Sequence, residues 1–271
     1  MSLTIHRITC KSALTGSGGH FRLNPYVGCE HHCVYCYASY LTRWREELGP
    51  WGSWVQVKTN LPRVLERELA RKRGIEVFLS TACDAYQPVE QQYRLTRQCL
   101  SLLALAAQRD EELRVFLVTK SDSVLGDQDV LQAFPPGALQ VAFSVTTHRD
   151  ETAALVEPKA SPPARRLAAL RTLNAAGIRT GLLISPVLPH VTEQDLPQLL
   201  AAAQAAGCRF LGFDRLNYLN RHIGAKMRAV YGHFGPEAQA RLEQACHDPG
   251  YEASLRAVIA RAKAEAHWRE E

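Results

Sequence analysis

The 271-residue chain lacks any run near the ~18 apolar residues that a membrane-spanning helix requires. Its first residues, MSLTIHRITCKSALTG, hold no apolar core long enough for a signal peptide. Those two absences predict a cytoplasmic location with no membrane partner, a compartment that suits free thiols. A strong charge excess is also missing: the net charge of +5 is not the footprint of a dedicated nucleic-acid binder. The densest basic stretch, Arg63, Arg67, Arg71, Lys72 and Arg73, closes a predicted helix before Gly74, where positive charge favours the helix dipole. It reads as a solvated helix face or as a phosphate-binding surface. With 46% hydrophobic and 22% charged residues, the chain is able to bury a sizeable core and is not disordered.

Of the eight cysteines, Cys10, Cys83, Cys99, Cys208 and Cys246 stand apart, so no second cysteine group exists to hold another cluster. The remaining three lie together in NPYVGCEHHCVYCYA, with Cys29, Cys33 and Cys36 spaced C-x3-C-x2-C. Random scatter would give that spacing in roughly seven of a thousand such chains, so chance explains it poorly. Three thiolates on one loop suffice for three irons of a [4Fe-4S] cube, leaving the fourth iron open. Structural zinc is the competing reading. It usually takes four ligands in two close pairs, and no second Cys/His pair is near; His31 and His32 lie between two of the thiols.

Downstream, strand-like and helix-like segments alternate. Strands read at about Phe21–Tyr26, Glu76–Ser80, Arg114–Thr119, Leu139–Val145, Arg179–Ile184 and Phe210–Arg215. Helices read from about Tyr35, then at Leu61–Arg73, Glu90–Gln108, Val124–Phe134, Pro163–Ala176 and Glu193–Ala206, with three more segments after Asn220. Trp51–Trp54 reads as a connection between elements. Apolar strands in five or six β/α repeats predict a parallel sheet, and chemistry in such folds sits at the strands' C-terminal ends. The expected organisation is a polar lead-in (1–20), a barrel-like unit (21–218) and a helical C-terminal extension (219–271).

The cysteine loop with its aromatic residue resembles that of the radical S-adenosylmethionine (radical SAM) superfamily. The longer run, followed in order by Ser80–Glu90, Thr119-Lys120-Ser121, Phe143–Thr147, Glu157–Pro162 and Ile184–Pro189, is similar to the spore photoproduct lyase-related branch over residues 20–218. The resemblance implies an α/β fold, a partial (β/α)6 TIM-type barrel. It implies a [4Fe-4S] cluster on Cys29, Cys33 and Cys36 that cleaves S-adenosylmethionine (SAM) reductively, giving a 5′-deoxyadenosyl radical for hydrogen abstraction. Lys120 matches the family lysine facing the SAM carboxylate, and Ser144 a ribose partner. The Tyr35 backbone and the strand end near Ile184–Pro186 would form the adenine slot, and Thr81 or Asp84 would meet the methionine moiety. Tyr37 and Cys83 correspond to a tyrosine near the cluster and a cysteine that returns a hydrogen atom to the product radical; as alternatives, both are packing residues. Glu157 with Arg165 and Arg166 forms an ion pair shaping the rim or opens a solvated helix. An electron donor such as flavodoxin or ferredoxin is implied as a partner, and the substrate is a peptide, a natural product or a nucleic acid.

The run from Tyr218 to Met227 has no match to the DNA-engaging part of that lyase, so lesion repair is only the alternative activity. A non-catalytic iron–sulfur sensing or binding module is the alternative from another class.

Overall fold

The computed structural model describes residues 3–216 and 223–268. The expected boundary at 218/219, and residues 218–222 of the run from Tyr218 to Met227 that departs from the family, lie outside them. Ten strands occur among the described residues: β1 (Thr4–Ile8), β2 (Leu14–Ser17), β3 (His20–Leu23), β4 (Tyr26–Val27), β5 (Trp54–Lys58), β6 (Glu76–Leu79), β7 (Arg114–Thr119), β8 (Leu139–Ser144), β9 (Arg179–Val187) and β10 (Phe210–Arg215). Seven form one sheet in the order β10-β9-β8-β7-β6-β3-β2. Every neighbouring pair in it is parallel except the β2–β3 hairpin. The six parallel strands, with helices between them, make the partial (β/α)6 barrel; β10 and β2 end the row unpaired with each other.

The sequence locates most of this. Strands of β-branched and apolar residues alternate with helices whose apolar faces pack on the sheet, as Leu61, Leu65 and Leu69 do. Leu79, Leu117, Val141 and Leu182 are fully buried between sheet and helices. Arg73 Nη1 donates to the Leu69 carbonyl (3.1 Å), so this end of the basic stretch closes its helix.

Three departures have physical causes. The polar lead-in contributes a strand that its sequence does not announce: β1 pairs in parallel with β5, and β4 closes a separate three-stranded sheet against β5, so Trp54 opens a strand rather than ending a connection. β1 is mostly exposed and is held by backbone pairing, which leaves little apolar alternation to read. The helix expected over Glu90–Gln108 breaks at Arg94 (φ 51°), because the Glu90 carboxylate accepts from Thr96 N (2.9 Å) and Arg97 N (3.2 Å) and starts Leu95–Ala107 afresh. After the last cysteine the helix is only Ala38–Leu41. The C-terminal region forms Gly224–Tyr231, Pro236–His247 and Tyr251–Glu265, three helices as expected.

Candidate active site

β4 delivers the chain to Gly28 and Cys29. Gly28 has φ +86°, and a Cβ there would stand 2.7 Å from the Trp54 carbonyl and 2.9 Å from its ring, so only glycine lets the loop rest on β5. Buried polar side chains then fasten the loop. Gln87 accepts from Glu30 N (2.9 Å) and donates to the Gly28 carbonyl (3.3 Å), while Glu30 accepts from Val89 N (2.6 Å). Asn24 donates to Thr81 Oγ1 (3.0 Å) and accepts from Ala82 N (2.8 Å). On the other flank, Val34 N donates to the Val156 carbonyl (2.9 Å), and Lys159 N to that of His31 (3.3 Å).

The thiols of Cys29 and Cys33 are buried and Cys36 is half-buried; none is in a disulfide. Burial pushes all three thiols up, and at Cys29 the charges of Asp84, Cys33 and Cys36 push further. Such thiols become stable thiolates only against positive charge, which a metal cluster supplies. Among the described residues no three His, Cys, Asp or Glu side chains converge as a single ion requires. Three thiol donors on one short loop are a set that a [4Fe-4S] cluster takes at three of its corners, whereas structural zinc takes four ligands.

Cys33 and Cys36 line a cavity of about 330 Å³ at the C-terminal ends of the parallel strands. Tyr35 and Tyr37 from the loop, Ser80 and Thr81 after β6, Lys120 after β7, Ser144 on β8, and Leu183 and Ser185 on β9 share it. Lys120 Nζ donates to Ser144 Oγ (2.8 Å), which donates to the Ser185 carbonyl (2.9 Å). An ammonium carries three donors, so this bond leaves Lys120 two for an anionic ligand. The Tyr35 ring lies 5.6 Å from the same ammonium.

Beneath this surface, Glu157 and Arg166 form a fully buried ion pair. Glu157 also accepts from the Tyr35 hydroxyl, and Arg166 Nη1 donates to the Ser144 carbonyl (2.9 Å). Burial pushes the Glu157 carboxyl up, but Arg166 and Lys120 outweigh it and hold the group low and charged. Arg165 instead pairs with Asp122 at the surface.

The sequence-expected residues therefore separate. Tyr35, Tyr37, Thr81, Lys120 and Ser144 meet at one cavity with Cys33 and Cys36. Tyr37 is 41% exposed and its hydroxyl donates to the Thr81 carbonyl. Of the expected strand end at 184–186, Ser185 and Pro186 line the cavity beside Leu183, while Ile184 points to the other face of β9 and enters the core. Cys83 is not among the lining residues either; it packs with Tyr26, Val55, Val57 and Val89, and burial pushes its thiol up to about 12. Asp84 lies behind the wall. It accepts from Lys120 N (2.7 Å), Thr119 Oγ1 (2.8 Å) and Tyr86 N (2.9 Å) and faces His31 Nδ1 at 3.5 Å. Burial pushes its carboxyl up, but His31 and these donors prevail and hold it at about 2. Asn24, Glu30 and Gln87 were missed as anchors; their only signal was polar residues flanking the cysteines and within Ser80–Glu90.

The Radical SAM superfamily model matches residues 23–203. An uncharacterized protein of Methanocaldococcus jannaschii is 32% identical over 176 residues, covering 65% of this chain and 63% of its own. One of Mycobacterium tuberculosis is 32% identical over 219 residues, 76% of this chain and 63% of its own. The chain thus spans just under two thirds of these relatives. Among solved structures, spore photoproduct lyase complexed with dinucleoside spore photoproduct superposes with a TM-score of 0.71 over 97% of this chain and 79% of that one. At 15% identity that likeness bears on the fold alone.

Proposed function

The chain belongs to the radical SAM superfamily, and from that premise we propose that it is an enzyme of that class, and propose which residues run its chemistry and what they hold. Cys29, Cys33 and Cys36 hold three irons of a [4Fe-4S] cluster, and SAM occupies the adjoining cavity. When bound, the cluster supplies one electron to the SAM sulfonium, whose cleavage yields a 5′-deoxyadenosyl radical able to abstract a substrate hydrogen. The single observation that carries this reading is that Cys33 and Cys36 share one cavity with Lys120 and Ser144.

The chain's own residues position, neutralise and exclude water. Lys120 offers its two remaining donors to the SAM carboxylate, a charge-assisted contact of about 1.5–3 kcal/mol. Ser144 fixes the ammonium's direction because its own hydroxyl is held by the Ser185 carbonyl. Glu157 and Arg166 hold Tyr35 and the Ser144 backbone from behind, so the cavity wall does not relax when SAM enters. Leu183, Val118 and Phe116 give the cavity apolar walls that keep water from a reactive carbon radical. Tyr37 and Thr81 form the rim at which a substrate enters, and Asp84 acts as a positioning residue.

Anaerobic reconstitution with iron and sulfide, followed by dithionite and SAM, tests the reading. The expected result is 5′-deoxyadenosine from the native chain and none from Cys33→Ala. Absence of 5′-deoxyadenosine from a chain carrying its full iron would refute it.

A further inference from the structure

A second groove lies outside the cysteine loop. Ser39, Thr42, Arg43, Arg45, Trp51, Trp54 and Lys226 are among its lining residues, and it shares none with the SAM cavity. Three of its lining residues are basic and none is acidic. Its floor touches the cysteines. Ser39 Oγ donates to the Cys36 carbonyl (2.7 Å), and Trp51 packs in one cluster with Cys29, with Cys36 against it. Beside the groove the surface is apolar as well as basic: Leu41 and Trp44 are exposed, Trp44 by 73%. The Arg43 guanidinium is stacked between the Tyr40 ring (3.9 Å) and the Trp44 ring (3.5 Å), which holds a positive charge in fixed position at the surface.

A basic rim beside an exposed Trp, with Arg43 held against it, is the composition of a protein interface, in which Trp and Arg are anchors. The groove is separated from the SAM cavity by the cysteine loop, so a substrate seated here would not reach the reacting carbon. What the groove does adjoin is the loop that holds the cysteines.

We propose that this groove, with Arg43, Trp44, Arg45 and Lys226 at its rim, is the docking site of an acidic one-electron carrier protein that reduces the cluster. The proposal rests on the cluster reading above. One electron leaves the reduced flavin of the carrier and enters the cluster; no bond to the chain forms or breaks. Redox encounters of this kind use small interfaces, below ~1,200 Å² in total, and rely on charge to steer the approach. A compact basic rim with an apolar centre meets both needs.

The test uses the cluster-loaded chain, a flavodoxin as the acidic carrier, and the paired substitution Arg43→Glu/Trp44→Ala. Lys226 is left in place because its charge already reaches Cys36. Arg109→Glu/Leu105→Ala, on and just after the helix Leu95–Ala107, makes the same change in charge and removes an exposed apolar side chain elsewhere. The dissociation constant for flavodoxin, from fluorescence anisotropy, is expected to weaken about tenfold or more in the groove variant, and the native affinity to fall with added salt. Flavodoxin-driven reduction slows in parallel, while dithionite-driven reduction and SAM affinity are unchanged and the distant variant behaves as native. Trp44→Ala alone, at a side chain with little to lose on folding, is expected to show the same direction. Unchanged flavodoxin affinity in the groove variant, or equal loss in the distant variant, overturns the proposal. So does loss of binding to a single-stranded oligonucleotide without loss of flavodoxin binding, which would make the groove a nucleic-acid surface. Failure of the native chain to cleave SAM with dithionite would instead fault the cluster reading, and the anisotropy titration separates the two.

Discussion

Asp84→Asn perturbs one atom and tests how the site is held. Asp84 Oδ2 accepts from Lys120 N at 2.7 Å, while Oδ1 accepts from Thr119 Oγ1 and Tyr86 N. The amide keeps the second oxygen but places an NH2 where the first stood, so two donors face each other beside His31 in a buried pocket. An unsatisfied buried donor costs about 1–3 kcal/mol, and removing the charged partner of a buried pair raises the total to about 2–4 kcal/mol. Against a net stability of roughly 5–15 kcal/mol this is a large share. Urea unfolding under anaerobic conditions reads the loss as a lower midpoint. The folded-state carboxyl sits at about 2 against an ordinary 3.8, so its stabilisation is present above that ordinary value and is lost as the pH falls toward 2. The gap between native and variant therefore closes in acid. Because Lys120 N is one of the lost contacts, SAM affinity falls as well. A destabilisation under ~0.5 kcal/mol with unchanged SAM affinity would refute the assigned positioning role.

Lys120→Ala removes the cation offered to the SAM carboxylate, and calorimetry is expected to show SAM binding weakened about 10- to 100-fold with the iron content intact. Equal affinity would remove Lys120 from the SAM site. Glu157→Gln leaves Arg166 buried without its charge partner and should cost about 3–5 kcal/mol in urea unfolding; a cost no larger than that of an exposed surface change would contradict the buried-pair account. Cys83, held at about 12 by burial, is expected to react with iodoacetamide at least tenfold more slowly than half-buried Cys246 at pH 8. Mass spectrometry of the labelled chain decides, and comparable rates would mean the thiol is open to solvent.

The cysteine loop, Lys120, Ser144 and Thr81 were legible because each carries a local signature: a fixed thiol spacing, or a polar residue directly after an apolar strand. Ile184 shows the limit. The reading found the strand end at 184–186, whose Ser185 and Pro186 line the cavity, but not that Ile184 between Leu183 and Ser185 faces the core. Asp84 and Cys83 lie in a loop with no period to read, and only the folded chain shows that one holds Lys120 and the other packs on Tyr26. The β1–β5 pairing was invisible for a different reason: the partners are about 50 residues apart and are joined by backbone bonds, which sequence does not encode. The break at Arg94 follows from a carboxylate capping a helix that begins five residues later, a competition that helix periodicity alone does not register.

The central claim is that SAM binds at the iron left open by three thiolates. Electron paramagnetic resonance of the dithionite-reduced, iron-loaded chain tests it most directly. The account predicts a spectrum that changes on adding SAM in the native chain, with the change weakened in Lys120→Ala. A native spectrum indifferent to saturating SAM would contradict it.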